Sequence, residues 1–324
     1  MNENSNDLPT LSHIGWDRLI TLLGEPRGNL TNTLSFMTRW FKDWTTLSPA
    51  RDIHGNFWLT IGDNPKTLFI SHTDTVDPEA TTLKKALTWD PALRLLGAEG
   101  AHCLGADDGA GVETLVCLAE AGVPGLYLWA ANEERGASGS RGFLSTMGPL
   151  LKNIRVAISF DRRGTSEVIT SQFKGDCASP ECGLALAKEL GGYTLGEGSF
   201  TDSAIFADCV SECLNLSIGY VKEHSPQETL DVGYLDRLVG KLLTVQWDNL
   251  PTVRIPGDFG HIRTPFGKLV DDDDDLSDMI YNYPEEVYDF IQAQGLGEDL
   301  KYYLKLVEEE SYGNYGVPKV WPWD

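Results

Sequence analysis

Apolar residues recur along this chain with two periods, and the order of those periods predicts a layered fold. Between about residues 11 and 48 the spacing is helical. Ile14, Leu19, Leu22 and Leu23 form one stripe, and Leu34, Phe36, Met37, Trp40, Phe41 and Trp44 form another. From residue 55 onward the apolar residues gather into short continuous runs. Residues 55–61 and 67–71 read as strands separated by turn chemistry at 62–65, Gly-Asp-Asn-Pro. A helix opened by glycines follows over 109–121, then a strand at 126–131, a helix near 139–150 and a strand at 155–160. Residues 165–173 alternate and read as a pairing strand. Helices near 181–190 and 202–209, a strand at 214–220 and a helix at 233–246 complete the pattern. Continuous apolar strands alternating with helices predict an α/β fold: a mainly parallel mixed sheet sandwiched between helices.

The pattern lapses after Trp247. Residues 251–270 are turn-rich, 271–275 are five consecutive aspartates, and two short helices are expected after Pro284. The chain therefore divides into a domain over 1–249 and an acidic extension over 250–324. Charge follows the same division. Of the net charge of -22, residues 258–324 hold -11, with 16 acidic against 5 basic residues. This balance excludes nucleic acid, which selects basic faces. No apolar run reaches the roughly 18–20 residues that span a bilayer, so no membrane partner is expected. The first residues lack the basic and apolar parts of a secretory signal, which points to the cytoplasm. The six cysteines form no CxxC pair and read as reduced thiols.

The chemistry gathers where the apolar strands end. LFISHTD delivers His72 and Asp74, LYLWAANEE delivers Glu133 and Glu134, VAISFD delivers Asp161, and LNLSIGYVKEH leads to His224. Asp107 and Asp108 lie in GADDGAG, at the mouth of a helix. Ligands of open α/β sheets bind at the C-terminal ends of strands, and imidazole with carboxylate suits zinc. Each residue also has a plainer reading. Asp107 and Asp108 suit helix capping, Asp161 suits a surface pair with Arg162 or Arg163, and His102 rivals the other histidines as a ligand. Spacing favours the metal reading at His72. Residues two apart on a strand point the same way, so the Asp74 carboxylate stands behind the His72 ring. Of two adjacent acids, one can bind a cation while the other serves as a general base.

Taken in order, HxD, GADD, Glu-Glu, a lone Asp and a late His resemble the zinc exopeptidases with paired co-catalytic metals, over roughly residues 52–247. The resemblance implies two Zn2+, with Co2+ or Mn2+ as substitutes. His72 and Asp161 would hold one, Glu134 and His224 the other, with Asp107 as the bridge. Glu133 would be the general base, with Asp74 supporting His72, and the Asp107–Asp108 peptide bond would be cis. Arg162 and Asp202 would line the substrate pocket. Only 63 positions separate Asp161 from His224, and 35 separate His72 from Asp107. These intervals leave no room for the domains inserted in other branches and point to the single-domain bacterial aminopeptidase branch. The implied activity is aminopeptidase cleavage of peptides. A deacylase of N-acyl amino acids and a metal-free homologue used for binding are the alternatives, and assembly into oligomers stays open.

Overall fold

The computed structural model describes residues 9–76, 84–172 and 175–260. Helices α1 (Trp16–Leu23) and α2 (Leu30–Trp44) form on the two expected stripes. Leu19, Leu22, Leu23 and Met37 are fully buried, each burial worth roughly 1.5–3 kcal/mol. Asn29 caps α2 by accepting the N–H of Asn32 at 3.2 Å. Trp44, the last residue of α2, departs from the expected stripe and is 41% exposed.

The elements that follow are β1 (Ala50–Arg51), β2 (Phe57–Ile61), β3 (Thr67–His72), β4 (Leu87–Asp90), β5 (Leu95–Ala98), α3 (Ala106–Glu120) and β6 (Gly125–Ala130). Then come α4 (Ser138–Met147), β7 (Val156–Arg162), β8 (Glu167–Gln172), β9 (Gly175–Asp176), α5 (Pro180–Leu190), β10 (Thr194–Glu197) and α6 (Asp202–Ile205). Strands β11 (Glu212–Ser217), β12 (Tyr220–Val221) and β13 (Thr229–Asp231) lead to α7 (Val232–Leu242).

The larger sheet has the order β1-β2-β6-β3-β7-β11-β8-β10, with β9 on β8. At its centre β6, β3, β7 and β11 are all parallel, while β2 and β8 join antiparallel on either side. Every residue of β3, β6 and β11 is buried. The two-residue strand period sorts them between two cores. Phe69, Tyr127, Trp129 and Ile158 meet α1, α2, α3, α5 and α7, whereas Leu68, Ile70, Leu126, Leu128 and Ala157 meet α4 and α6. Helices thus cover both faces, as expected. The four parallel strands end on one edge, which gathers their C-terminal residues.

Two departures shape that edge. Residues 87–98 form a hairpin, β4–β5, of a second antiparallel sheet ordered β12-β13-β5-β4. The expected strand at 214–220 also divides. β11 stops at Ser217, and Tyr220 pairs with Leu230 in the second sheet. The break falls at Gly219, whose φ of 104° an L side chain rarely adopts. A Cβ there would lie 2.6 Å from the Tyr234 ring.

The described residues just past 249 pack on the core. Arg254 donates to the carbonyls of Ala207, Val210 and Ser211 at 2.6–2.8 Å, and the N–H groups of Val253 and Arg254 reach buried Glu212. The acidic run and the helices expected after Pro284 lie outside the described residues. No disulfide joins the cysteines. Among the described residues no helix is long and apolar enough to cross a membrane.

Candidate metal centre

His72 is the last residue of β3 and is buried. Its Nδ1 faces the Asp74 carbonyl oxygen at 3.0 Å and the Asp74 carboxylate at 3.6 Å. Nε2 faces Asp107 Oδ1 at 3.0 Å and Asp161 Oδ1 at 3.6 Å. The nearest support for the ring is thus the backbone of Asp74 rather than its side chain. The Asp74 carboxylate instead accepts the Glu133 N–H at 3.1 Å.

Asp107 and Asp108 are joined by a cis peptide bond, as the resemblance implies. The two side chains part in function. Asp108 turns inward and accepts the His72 N–H and the Gly111 N–H, each at 3.0 Å, so it ties β3 to the start of α3. Asp107 faces the strand ends. Its Oδ1 meets His72, and its Oδ2 lies 3.2 Å from His224 Nε2.

Glu133 and Glu134 do not extend β6. The strand stops at Ala130, Asn132 takes a left-handed conformation (φ 56°), and Glu133–Arg135 form a single 3-10 turn. That turn brings Glu134 Oε1 to 2.8 Å from His224 Nε2. Asp161, near the end of β7, is held on both oxygens: Tyr220 donates to Oδ1 at 3.0 Å and Thr201 to Oδ2 at 2.6 Å. Asn215 pairs with its backbone at 3.0 and 2.8 Å.

Three overlapping groups bring ligand atoms within 4.8 Å of one another: His72, Asp107 and Asp161; Asp107, Glu134 and His224; and His72, Glu133 and Glu134. His102 belongs to none of them. Asp107 is shared between the first two through different oxygens. Arg162 is tied to Glu167, its Nε and Nη2 both 2.9 Å from one oxygen, and Arg163 pairs with Glu223 at 2.8 Å. Asp202 is buried at the start of α6, and its Oδ1 has no hydrogen-bond partner among the described residues.

The electrostatics are those of a site with excess negative charge. Burial pushes the carboxyls of Glu133, Glu134 and Asp161 up, and brings Asp202 to about 7. Hydrogen bonds to Asp107 and Glu134 bring His224 up to about 10. Burial works against a charged His72, but Asp161, Asp107 and Asp74 outweigh it and raise the imidazole well above its ordinary range. Burial likewise opposes charge on Asp107, yet His224 and His72 hold it below the usual carboxylate range. Carboxyl groups thus outnumber the two imidazoles among them, the imbalance a pair of divalent cations relieves. The donor set, nitrogen and carboxylate oxygen with one carboxylate offered to two groups, fits such a pair.

No family model matches this sequence, and neither does any curated protein. Solved structures do. A tripeptidase from Staphylococcus aureus subsp. aureus Mu50 superposes with a TM-score of 0.58 at 14% identity, covering 72% of this chain and 98% of that one. The Pyrococcus horikoshii TET1 peptidase gives 0.55 at 15%, covering 70% and 97%. A TET aminopeptidase from a marine-sediment Thaumarchaeota archaeon gives 0.53 at 13%, covering 71% and 96%.

The fold is that of these peptidase and aminopeptidase structures. Within this fold, the described residues between Asp161 and His224 belong to the sheets and the helices packed on them, as the short interval implies.

Sequence reading missed several members of the site. Tyr220 and Asn215 support Asp161. Buried Arg27, Lys85 and Glu228 surround the turn before Asp107. Glu228 had a signal, lying four residues after His224 in HSPQE. Arg27 had none, because it precedes the motifs by 45 positions and falls between the two helical stripes.

Proposed function

We propose that this protein is a di-metal peptidase of the aminopeptidase type, acting on peptides. The observation that carries the reading is Asp107, which turns one oxygen to His72 at 3.0 Å and the other to His224 at 3.2 Å. A carboxylate placed between two ligand groups is what a bridged pair of cations requires. His72 and Asp161 would hold one ion and Glu134 and His224 the other, zinc by donor type, with cobalt or manganese as substitutes. When bound, the pair supplies a Lewis acid for the scissile carbonyl and a nearby water of lowered pKa.

The remaining steps belong to the chain's own side chains. Glu133 takes the proton from the attacking water and returns it to the leaving amine. Asp74 fixes the position of Glu133 by accepting its backbone N–H, and it holds the His72 ring through its carbonyl. Tyr220 and Thr201 keep Asp161 in a single orientation. Arg162, anchored by Glu167, would meet a substrate carboxylate or carbonyl. Asp202 would line the same pocket. We place the protein in the cytoplasm, with the acidic extension as a separate part. The Pyrococcus TET1 peptidase assembles into a tetrahedron or a large octahedral shell, and a smaller or larger assembly of this chain would fit the same fold.

Metal content measured with a substrate panel tests the reading. Zinc near two per chain, with hydrolysis of free-amine peptides and little of N-blocked ones, supports it. The reverse substrate preference makes the enzyme a deacylase of N-acyl amino acids. Less than one zinc per chain without hydrolysis makes it a binding protein.

A further inference from the structure

Three buried side chains outside the ligand set converge on the turn that carries Asp107. Arg27 Nη1 donates to the Thr73 carbonyl at 3.0 Å, and Nη2 donates to the Gly105 carbonyl at 2.6 Å. Lys85 Nζ donates to the carbonyls of Cys103 and Leu104, both at 3.0 Å. Glu228 acts with the opposite polarity, accepting the N–H of Gly105 at 2.8 Å and of Asp107 at 2.9 Å. The carbonyls of residues 103–105 are thus held by two cations, and the amides of Gly105 and Asp107 by one carboxylate.

The glycines of GADDGAG make this arrangement possible. A Cβ on Gly105 would stand 3.2 Å from both Arg27 Nη2 and Lys85 Nζ, and one on Gly109 would stand 2.8 Å from Arg27 Nη2. Arg27 also joins two ligand-bearing segments, since Thr73 follows His72 and Gly105 precedes Asp107 by two residues. Burying a guanidinium is costly. Here the surrounding acids Asp108, Asp74, Glu228 and Asp107 favour its charge against that cost.

We propose that Arg27, Lys85 and Glu228 are positioning residues that preform the bridging carboxylate. They fix Asp107 against His72 before any metal ion arrives. The proposal rests on the di-metal reading of that cluster.

Zinc affinity of the full chain, measured by competition with a chromogenic chelator, tests it. The comparison takes wild type, Arg27→Met, Arg27→Lys and Glu228→Gln, with thermal unfolding in chelator alongside. Arg27→Met and Glu228→Gln are expected to weaken zinc binding by about 10- to 100-fold, the usual loss when groups supporting a ligand are removed. Arg27→Lys, which keeps the charge but not the fork, should fall between. A purely structural role would lower the unfolding temperature and leave zinc affinity at the wild-type value, and that result overturns the proposal. If Arg27→Met does not fold, Glu228→Gln decides alone, because it preserves shape and turns one acceptor into a donor. Wild-type protein that binds no zinc would overturn the di-metal reading and this proposal together, whereas wild-type affinity in the variants overturns only the latter.

Discussion

Asp74 accepts the backbone N–H of Glu133 at 3.1 Å, joining the end of one central strand to the turn that follows its neighbour. Asp74 therefore serves two strands at once, its carboxylate holding Glu133 and its backbone carbonyl facing the His72 ring. Asp74→Ala should cost about 10- to 100-fold in activity or zinc affinity. Asp74→Asn should cost less, because its side-chain oxygen still accepts the Glu133 N–H. Steady-state kinetics and zinc titration of both variants check the order. Equal losses would mean that charge, and not the hydrogen bond, is what matters.

Glu133→Gln should lower kcat by about 100- to 10,000-fold, the range for losing a general base, while two zinc ions stay bound. Glu133 also lies within ligand reach of His72 and Glu134, so metal content is the deciding measurement. Loss of an ion along with activity would make Glu133 a ligand.

The metal-free protein should lose stability as pH rises. Burial holds Asp202 at about 7 against an ordinary 3.8, and hydrogen bonds to Asp107 and Glu134 hold His224 at about 10 against 6.5. Both groups bind a proton more tightly folded than unfolded. Their contribution is complete below the unfolded value and fades through the folded one, from about pH 4 to 7 and from 6.5 to 10. Asp107 has the opposite sign, but only below its ordinary 3.8. Unfolding temperatures between pH 5 and 9 should fall in chelator and flatten in saturating zinc. A rise with pH in chelator would contradict the charge balance described above.

Gly111→Ala should be severely destabilising. Its Cβ would stand 2.3 Å from Asp108 Oδ1 and 2.4 Å from the Phe160 carbonyl oxygen, and overpacking of this kind costs about 1–3 kcal/mol or more. Gly148→Ala, with nothing within 4 Å, is the control. Urea unfolding of both checks the difference.

Truncation separates the acidic extension from its anchor. A chain ending at 249 loses Arg254 and leaves three carbonyls and buried Glu212 short of partners, so it should unfold at a lower temperature than a chain ending at 260. Equal unfolding temperatures would show that the Arg254 contacts contribute nothing.

Much of the architecture was legible because continuous apolar runs mark strands buried on both faces, and β3, β6 and β7 appear within a residue or two of the expected positions. The strands at 87–98 were not, because β4 alternates buried and exposed positions over only four residues, too short for a periodic signal. The division of 214–220 was hidden for another reason. Its apolar residues alternate with Asn215, Ser217 and Gly219 without a break, and only the backbone conformation at Gly219 shows where one sheet ends and the other begins. Within the site, strand-end position marked His72, Glu133, Glu134 and Asp161. It could not mark Tyr220, whose role lies in a hydroxyl aimed at Asp161.

Sequence alone determined which candidate ligand types this protein carries and in what order, because short strands with acids at their ends leave that pattern locally. Tertiary structure decided how those side chains face one another. It turned the two oxygens of Asp107 toward different histidines, faced Asp108 inward, and brought Arg27, Lys85 and Glu228 to one turn from three distant segments. Pairing of that kind depends on distances between strands and loops far apart in the chain, and no local pattern of residues encodes those distances.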